Sequence, residues 1–173
     1  MRMHTRPALT IREIRPDEFD LVWPLFHTVI SAGDTYAYSP DLSIEESRKL
    51  WTKPPARAFL AELEGIVVGT YALRPNQPGL GDHVANAGYM VAPAARGQGI
   101  ARALCEHSME TARQAGFTAM QFNFVVSSND GAVRLWQACG FRIVGQVPAA
   151  FRHRERGPTD VFIMHRFLSP EAA

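Results

Sequence analysis

Apolar and polar residues alternate over LTIREI, residues 9–14, predicting a strand that stops at Pro16, which has no N–H for a ladder. In DEFDLVWPLFHTVI the apolar positions Phe19, Val22, Trp23, Phe26, Val29 and Ile30 recur at helical spacing, with a kink expected at Pro24. After the loop SAGDTYAYSPDL, Ser43 with Glu46 three residues on predicts a capping box and a helix ending near Trp51, before Pro54 and Pro55. RAFLAELEGIVVGTYALR predicts a β-hairpin turning at Glu64-Gly65. RPNQPGLGDHVA is a Pro/Gly loop and NAGYMV a strand. A helix to about Ala115, the strand AMQFNFVV, the helix NDGAVRLWQACG and the strands FRIVGQ and DVFIMHRF complete the chain. The order β-α-α-β-β-β-α-β-α-β-β predicts a mixed α/β (α+β) domain with a central, partly antiparallel sheet.

One junction breaks the pattern. Between NAGYMV and the following helix stand Arg96, Gly97, Gln98, Gly99, Ile100 and Ala101, with two poor helix formers where a helix is about to begin. The first turn of a helix carries N–H groups without intrahelical partners, and its dipole is positive at that end. Glycine brings such a backbone bare to a ligand, so the junction predicts an anion site with Arg96 and Arg102 beside it. A P-loop is excluded, because Ile100-Ala101 stand where Lys-Ser/Thr would be needed. A dinucleotide-binding turn lacks its acidic residue, since Asn123 and Phe124 occupy the end of the next strand.

Length and composition narrow the class. The chain has 173 residues, enough for one good core, and single-domain organisation over residues 9–168 with short arms at 1–8 and 169–173 is expected. A net charge of +1 gives no basis for a nucleic-acid partner, and the local run Arg152, His153, Arg154, Arg156 is the pattern of a solvated loop. Cys105 and Cys139 both fall in predicted helices and make no disulfide framework. No apolar stretch follows the basic start, and none approaches the ~20 residues of a membrane span. These features predict a cytoplasmic protein with no membrane partner. The histidines are scattered without ligand spacing, so no metal is expected.

Arg96 to Ala101 match the pyrophosphate motif Q/R-x-x-G-x-G/A of the GNAT superfamily of acetyl-CoA-dependent N-acetyltransferases, with that family's strand before and helix after. Downstream, Asn129, Ala132, Leu135, Trp136, Gly140 and Phe141 fall in register with N-x-x-A-x-x-L/I-Y/W-x-x-x-G-F. The chain therefore resembles this superfamily over roughly residues 9 to 168. Asn86 and Asn123, within NAGYMV and FNFVV, also resemble the subgroup that includes fungal azetidine-2-carboxylate acetyltransferases.

The resemblance implies a GNAT-type sheet splayed at its centre, acetyl-CoA as cosubstrate, and transfer of acetyl to a small-molecule amine such as an amino acid or analogue. It implies main-chain contacts from Met90 and Val91 to the pantetheine and from Gly97, Gln98, Gly99, Ile100 and Ala101 to the pyrophosphate, with the Arg96 side chain adding charge, and a cofactor contact from Asn129, which is equally a helix N-cap. Asn86 and Asn123 become candidates for both catalysis and acceptor binding, with Tyr36 beside them. The alternative for the asparagines is a structural tie between strands. Asp34, in the same loop as Tyr36, is placed to meet a cationic amine. The family's usual tyrosine acid is replaced by Trp136, so either the thiolate leaves unassisted, as a thiol pKa of ~8.5 allows, or another group serves, with Tyr36, Tyr89 and His83 as candidates. His107 is expected to be a satisfied core or rim residue. Neither cysteine is expected as a nucleophile. A homodimer is expected from the family alone. A non-catalytic acyl-CoA sensor and a protein or peptide N-terminal acetyltransferase are the competing functions.

Overall fold

The computed structural model describes residues 8–169, so the expected arms lie, but for residues 8 and 169, outside the described residues. Strand β1 (Leu9–Ile14) leads through a 3-10 segment (Pro16–Leu21) to α1 (Trp23–Ala32) and α2 (Ile44–Thr52). Strands β2 (Arg57–Leu63), β3 (Ile66–Pro75) and β4 (Val84–Val91) precede α3 (Ile100–Gln114). Then come β5 (Ala119–Val126), α4 (Asp130–Ala138), β6 (Arg142–His153) and β7 (Gly157–Phe167). The seven strands form one sheet in the order β1-β2-β3-β4-β5-β7-β6, antiparallel throughout except for β4 and β5.

Most local predictions hold. Ser43 accepts the Glu46 N–H and the Glu46 carboxylate accepts the Ser43 N–H, so the capping box starts α2. Glu64 and Gly65 both take positive φ, 51° and 79°, which suits the tight turn between β2 and β3. Pro24 does not kink a helix: it stands in the first turn of α1, where its missing N–H is not needed, and a 3-10 segment precedes it. Strand β6 runs to His153 rather than stopping at Gln146.

The sheet separates two apolar clusters. On one face α3 and α4 cover Tyr71, Met120, Phe122 and Met164. On the other, α1 and α2 bury Phe19, Phe26, Ile30 and Trp51 against Leu60, Ala72 and Met90. Full burial of one such side chain is worth about 1.5–3 kcal/mol. Trp51 also donates its indole N–H to Thr70 Oγ1 at 3.0 Å, and that hydroxyl donates to the Phe59 carbonyl at 2.7 Å. The buried Trp51 N–H and Thr70 hydroxyl are thereby satisfied.

Two close approaches position the site. A β-carbon at Gly69 would stand 2.9 Å from Leu104 Cδ1 and 3.1 Å from Ile100 Cγ2, so this glycine lets the start of α3 sit directly on β3. At the far end, Arg154 in the β6–β7 turn donates its main-chain N–H to the Gly33 carbonyl (3.0 Å) and its guanidinium to the Ser31 carbonyl (2.8 Å). A cation on the last carbonyls of α1 is favourable, and it fixes the β6–β7 hairpin against that helix. Among the described residues no helix is long and apolar enough to cross a membrane.

Candidate active site

Strands β4 and β5 pair only at Val84 with Ala119 and Ala85 with Met120. Beyond those residues β4 continues against β3 and β5 against β7, and the sheet opens. A cleft of about 1130 Å³ occupies the opening. The phase of β4 follows from two bonds: Asn76 N–H to the Val84 carbonyl and Ala92 N–H to the Val68 carbonyl. Even-numbered residues of β4 therefore give their main-chain groups to β3, while Tyr89 and Val91 turn theirs to the gap. Met90, paired with Thr70, keeps its main-chain groups inside the sheet and its side chain buried. Of the pair Met90 and Val91, only Val91 presents main chain to the cleft.

The glycine turn lies at the same cleft. Gly97 and Gly99 take φ of 75° and 81°, and a β-carbon at either would meet nothing within 4 Å. Glycine is thus needed there for the backbone conformation, and the face above it is open. Among the described residues, no acceptor pairs with the main-chain N–H groups of residues 97 to 101. Gly97, Gly99, Ile100 and Ala101 line the cleft, as does exposed Arg96. The Ile100 side chain is in the core, so only its backbone belongs to the turn. Gln98 is turned aside and donates to the Ala94 carbonyl at 3.2 Å. Arg102 lines the cleft but lies 3.6 Å from Glu106.

Asn129 caps α4, its Oδ1 accepting the Ala132 N–H at 3.3 Å, and it also lines the cleft. Trp136 is buried on the cleft wall, its ring 4.8 Å from Tyr89 and 5.3 Å from Phe122. The Tyr89 hydroxyl lies against Ser108 Oγ at 2.6 Å, and burial pushes its pKa well up. His83 is exposed in the turn before β4 and does not line the cleft. Tyr36 does, with its hydroxyl donated to the Tyr89 carbonyl at 2.9 Å.

Asn86 and Asn123 stand on either side of the split, and a third residue joins them. Asn86 Nδ2 and Asn123 Nδ2 donate to the same oxygen, Asn76 Oδ1, at 3.1 and 2.7 Å. Gln121 Nε2 donates to Asn123 Oδ1 at 2.9 Å. Asn123 is exposed on the cleft wall rather than buried in an apolar strand. The cause is a β-bulge: the β5–β7 register slips between Phe122 and Val125, so Phe124 also reaches the cleft instead of alternating with Asn123. Asp34, His153 at the end of β6, and Glu155 and Arg156 in the β6–β7 turn also line the cleft. The segment FRHRERGPTD, a candidate from sequence for bordering the site, does line the cleft, whereas Asn76 was not identifiable by local pattern, because its bonds join segments far apart in the chain.

Known proteins share this sequence pattern and this fold. The profile of the Acetyltransferase (GNAT) family matches residues 16–141, and the chain belongs to that family. The chain is 44% identical to a GCN5-related N-acetyltransferase from Kribbella flavida, covering 92% of this chain and 98% of that one, with a TM-score of 0.87. It is 33% identical over 109 residues to N-acetyltransferase aca1 of Schizosaccharomyces pombe, covering 62% of this chain. The chain spans about half that relative's length, 52%. A phosphinothricin acetyltransferase from Sinorhizobium meliloti, solved in complex with AcCoA, shares the fold at 20% identity, with coverage of 93% and 89% and a TM-score of 0.82.

Proposed function

We propose that the protein transfers an acetyl group from acetyl-CoA to the amine of a small molecule, by direct attack within a ternary complex. The observation that carries this is the coincidence of five unpaired main-chain N–H groups, residues 97 to 101, with the mouth of the β4–β5 split. Such groups at a helix start, with Arg96 beside them, suit a diphosphate. When bound, acetyl-CoA supplies an activated thioester. Val91 and the Tyr89 N–H then serve as the edge against which its extended arm is held. A main-chain N–H aimed at a developing oxyanion is typically worth about 2.7–4 kcal/mol.

The acceptor must be neutral to attack, and with an amine pKa near ~10 only about one molecule in a thousand is so at pH 7. Asn86 and Asn123 orient it at the split, and Tyr36 shapes the pocket. Direct transfer is supported by the cysteines, both of which are buried. Burial pushes the Cys105 thiol well up, which keeps it protonated and unreactive. The hairpin tied to α1 by Arg154 bounds the acceptor side and favours a small acceptor over a peptide. An amino acid or analogue is the acceptor class proposed, on the resemblance carried by Asn86 and Asn123.

Thiol release from acetyl-CoA across a panel of amines and amino acids tests this function. Release that depends on added amine is expected, and it should persist in the Cys105→Ala/Cys139→Ala variant. Tight acetyl-CoA binding without release under any acceptor would instead establish an acyl-CoA sensor, the reading favoured by Trp136 at the usual tyrosine position.

A further inference from the structure

We infer that Asn76 is a positioning residue for the acceptor amine, acting through Asn86 and Asn123; this rests on the acceptor-site role given to those two asparagines above. Asn76 follows the last residue of β3 and is held there by its own N–H, donated to the Val84 carbonyl at 2.7 Å. Its side-chain oxygen has two lone pairs, and both are used: one by Asn86 Nδ2 on β4, one by Asn123 Nδ2 on β5. The contact therefore spans the split just past the point where the β4–β5 ladder ends at Ala85 and Met120.

The consequence is directional. An amide can present either its oxygen or its nitrogen to a ligand, and the shared bond decides which. With both NH2 groups drawn to Asn76, each asparagine's oxygen is turned away from it. Asn123 Oδ1 is taken by Gln121 Nε2, whereas Asn86 Oδ1 has no hydrogen-bond donor among the described residues. Asn86 lines the cleft, so its oxygen is the acceptor for an amine N–H, and the lone pair of that nitrogen is left for attack. Without Asn76 the Asn86 amide is free to rotate and Asn123 is held by Gln121 alone, so the acceptor loses its orientation.

The test compares Asn76→Ala, Asn76→Ser and Asn76→Asp with Asn86→Ala and Asn123→Ala. The probe acceptor is azetidine-2-carboxylate, or the panel amine turned over fastest. Misorientation at a reacting centre costs up to about a hundredfold. Asn76→Ala and Asn76→Ser should lower kcat/KM for the acceptor by about tenfold to a hundredfold while acetyl-CoA affinity by calorimetry stays unchanged. Asn76→Asp, whose carboxylate accepts from both amides, should recover most of the loss. The side-chain amide NMR signals of Asn86 and Asn123 should shift together in the Ala and Ser variants and not in the Asp variant, a readout independent of turnover. Acceptor kinetics and amide signals unchanged in Asn76→Ala, or no rescue by Asp, would overturn the positioning role. If Asn86→Ala and Asn123→Ala both leave acceptor kinetics intact, the acceptor-site reading fails and takes this inference with it. If those two impair acceptor use and Asn76→Ala and Asn76→Ser do not, the positioning role alone falls.

Discussion

The Tyr36 hydroxyl donates to the main-chain carbonyl of Tyr89 at 2.9 Å, tying the α1–α2 loop to the edge of the split sheet. Burial pushes the Tyr36 pKa far above the usual tyrosine range. Its proton is thus committed to a structural bond and is a poor choice for the acid that meets the departing thiolate. Replacing Tyr36 with Phe takes one hydrogen bond from a part-buried carbonyl at the cleft, a loss of about 0.5–1.5 kcal/mol that thermal unfolding will show. The kcat should fall by less than about tenfold. A general acid contributes about a hundredfold or more, so a drop of that size in a folded Tyr36→Phe variant would make Tyr36 the acid.

Gly88 lies beneath that hydroxyl. A β-carbon there would stand 2.9 Å from Tyr36 Oη and 3.5 Å from Trp51. The Tyr36 ring has little room to retreat, being packed 5.4 Å from Tyr38 and 6.3 Å from Trp51. Gly88→Ala is expected to destabilise by about 1–3 kcal/mol through overpacking. It should raise KM for the acceptor and leave KM for acetyl-CoA unchanged. An equal change in both constants would place the effect outside the acceptor pocket.

At the glycine turn the effect is on the backbone, because the space above Gly99 is open. Gly99→Ala forces a non-glycine residue to positive φ at a cost of about 1–2 kcal/mol. The turn should relax and acetyl-CoA affinity fall, with acceptor selectivity preserved. Arg96→Glu keeps the turn and reverses a charge beside it, so calorimetry should show weaker acetyl-CoA binding, more so at low ionic strength. Unchanged affinity in both variants would remove the diphosphate from this turn.

Features written locally were legible in the sequence. The Ser43 capping box, the Glu64-Gly65 turn and strand β5 were all found where propensity and spacing put them. Strand β6 was read seven residues short, because Pro148, Ala149 and Ala150 end the alternation after Val147. The strand continues because Asp160 on β7 accepts the Ala149 N–H at 2.8 Å and the Gln146 side-chain N–H at 2.6 Å, bridging an irregularity with Ala149 at φ 51°. The same holds in the site. The glycine turn is continuous in sequence and was read directly, whereas the Asn76 bonds join residues 10 and 47 positions apart. The exposure of Asn123 depends on a bulge that a period-2 pattern does not reveal.

Asn129 serves α4 and the cleft at once, and two substitutions separate these roles. Asn129→Ala removes the cap and should cost about 0.5–2 kcal/mol of stability. Asn129→Asp keeps a capping oxygen for the Ala132 N–H, so stability should stay near that of the parent. It also introduces a negative charge into the cleft that is expected to hold a polyanion. Acetyl-CoA binding should therefore weaken in Asn129→Asp despite a normal melting temperature. If the Asp variant binds acetyl-CoA normally, Asn129 is a cap and nothing more.

His107 links the fold to pH. On α3, its Nδ1 lies 2.8 Å from the Tyr71 hydroxyl and 3.4 Å from Thr111 Oγ1. Burial pushes the Tyr71 pKa upward, so its hydroxyl keeps its proton; it donates to Thr111 Oγ1 at 3.3 Å, and the direction of its bond with Nδ1 follows the imidazole tautomer. Burial likewise holds the His107 pKa below its ordinary value of 6.5. As pH falls, the unfolded chain takes up the proton first, because its histidine keeps the higher pKa. The contribution of His107 is therefore fully present above about pH 6.5 and is lost as pH drops through the lower folded value. Melting temperatures followed from about pH 7.5 to about pH 5 should decline more steeply for the parent than for His107→Gln, which can still pair with Tyr71 but does not titrate. Parallel curves would assign the acid sensitivity of the fold to other groups.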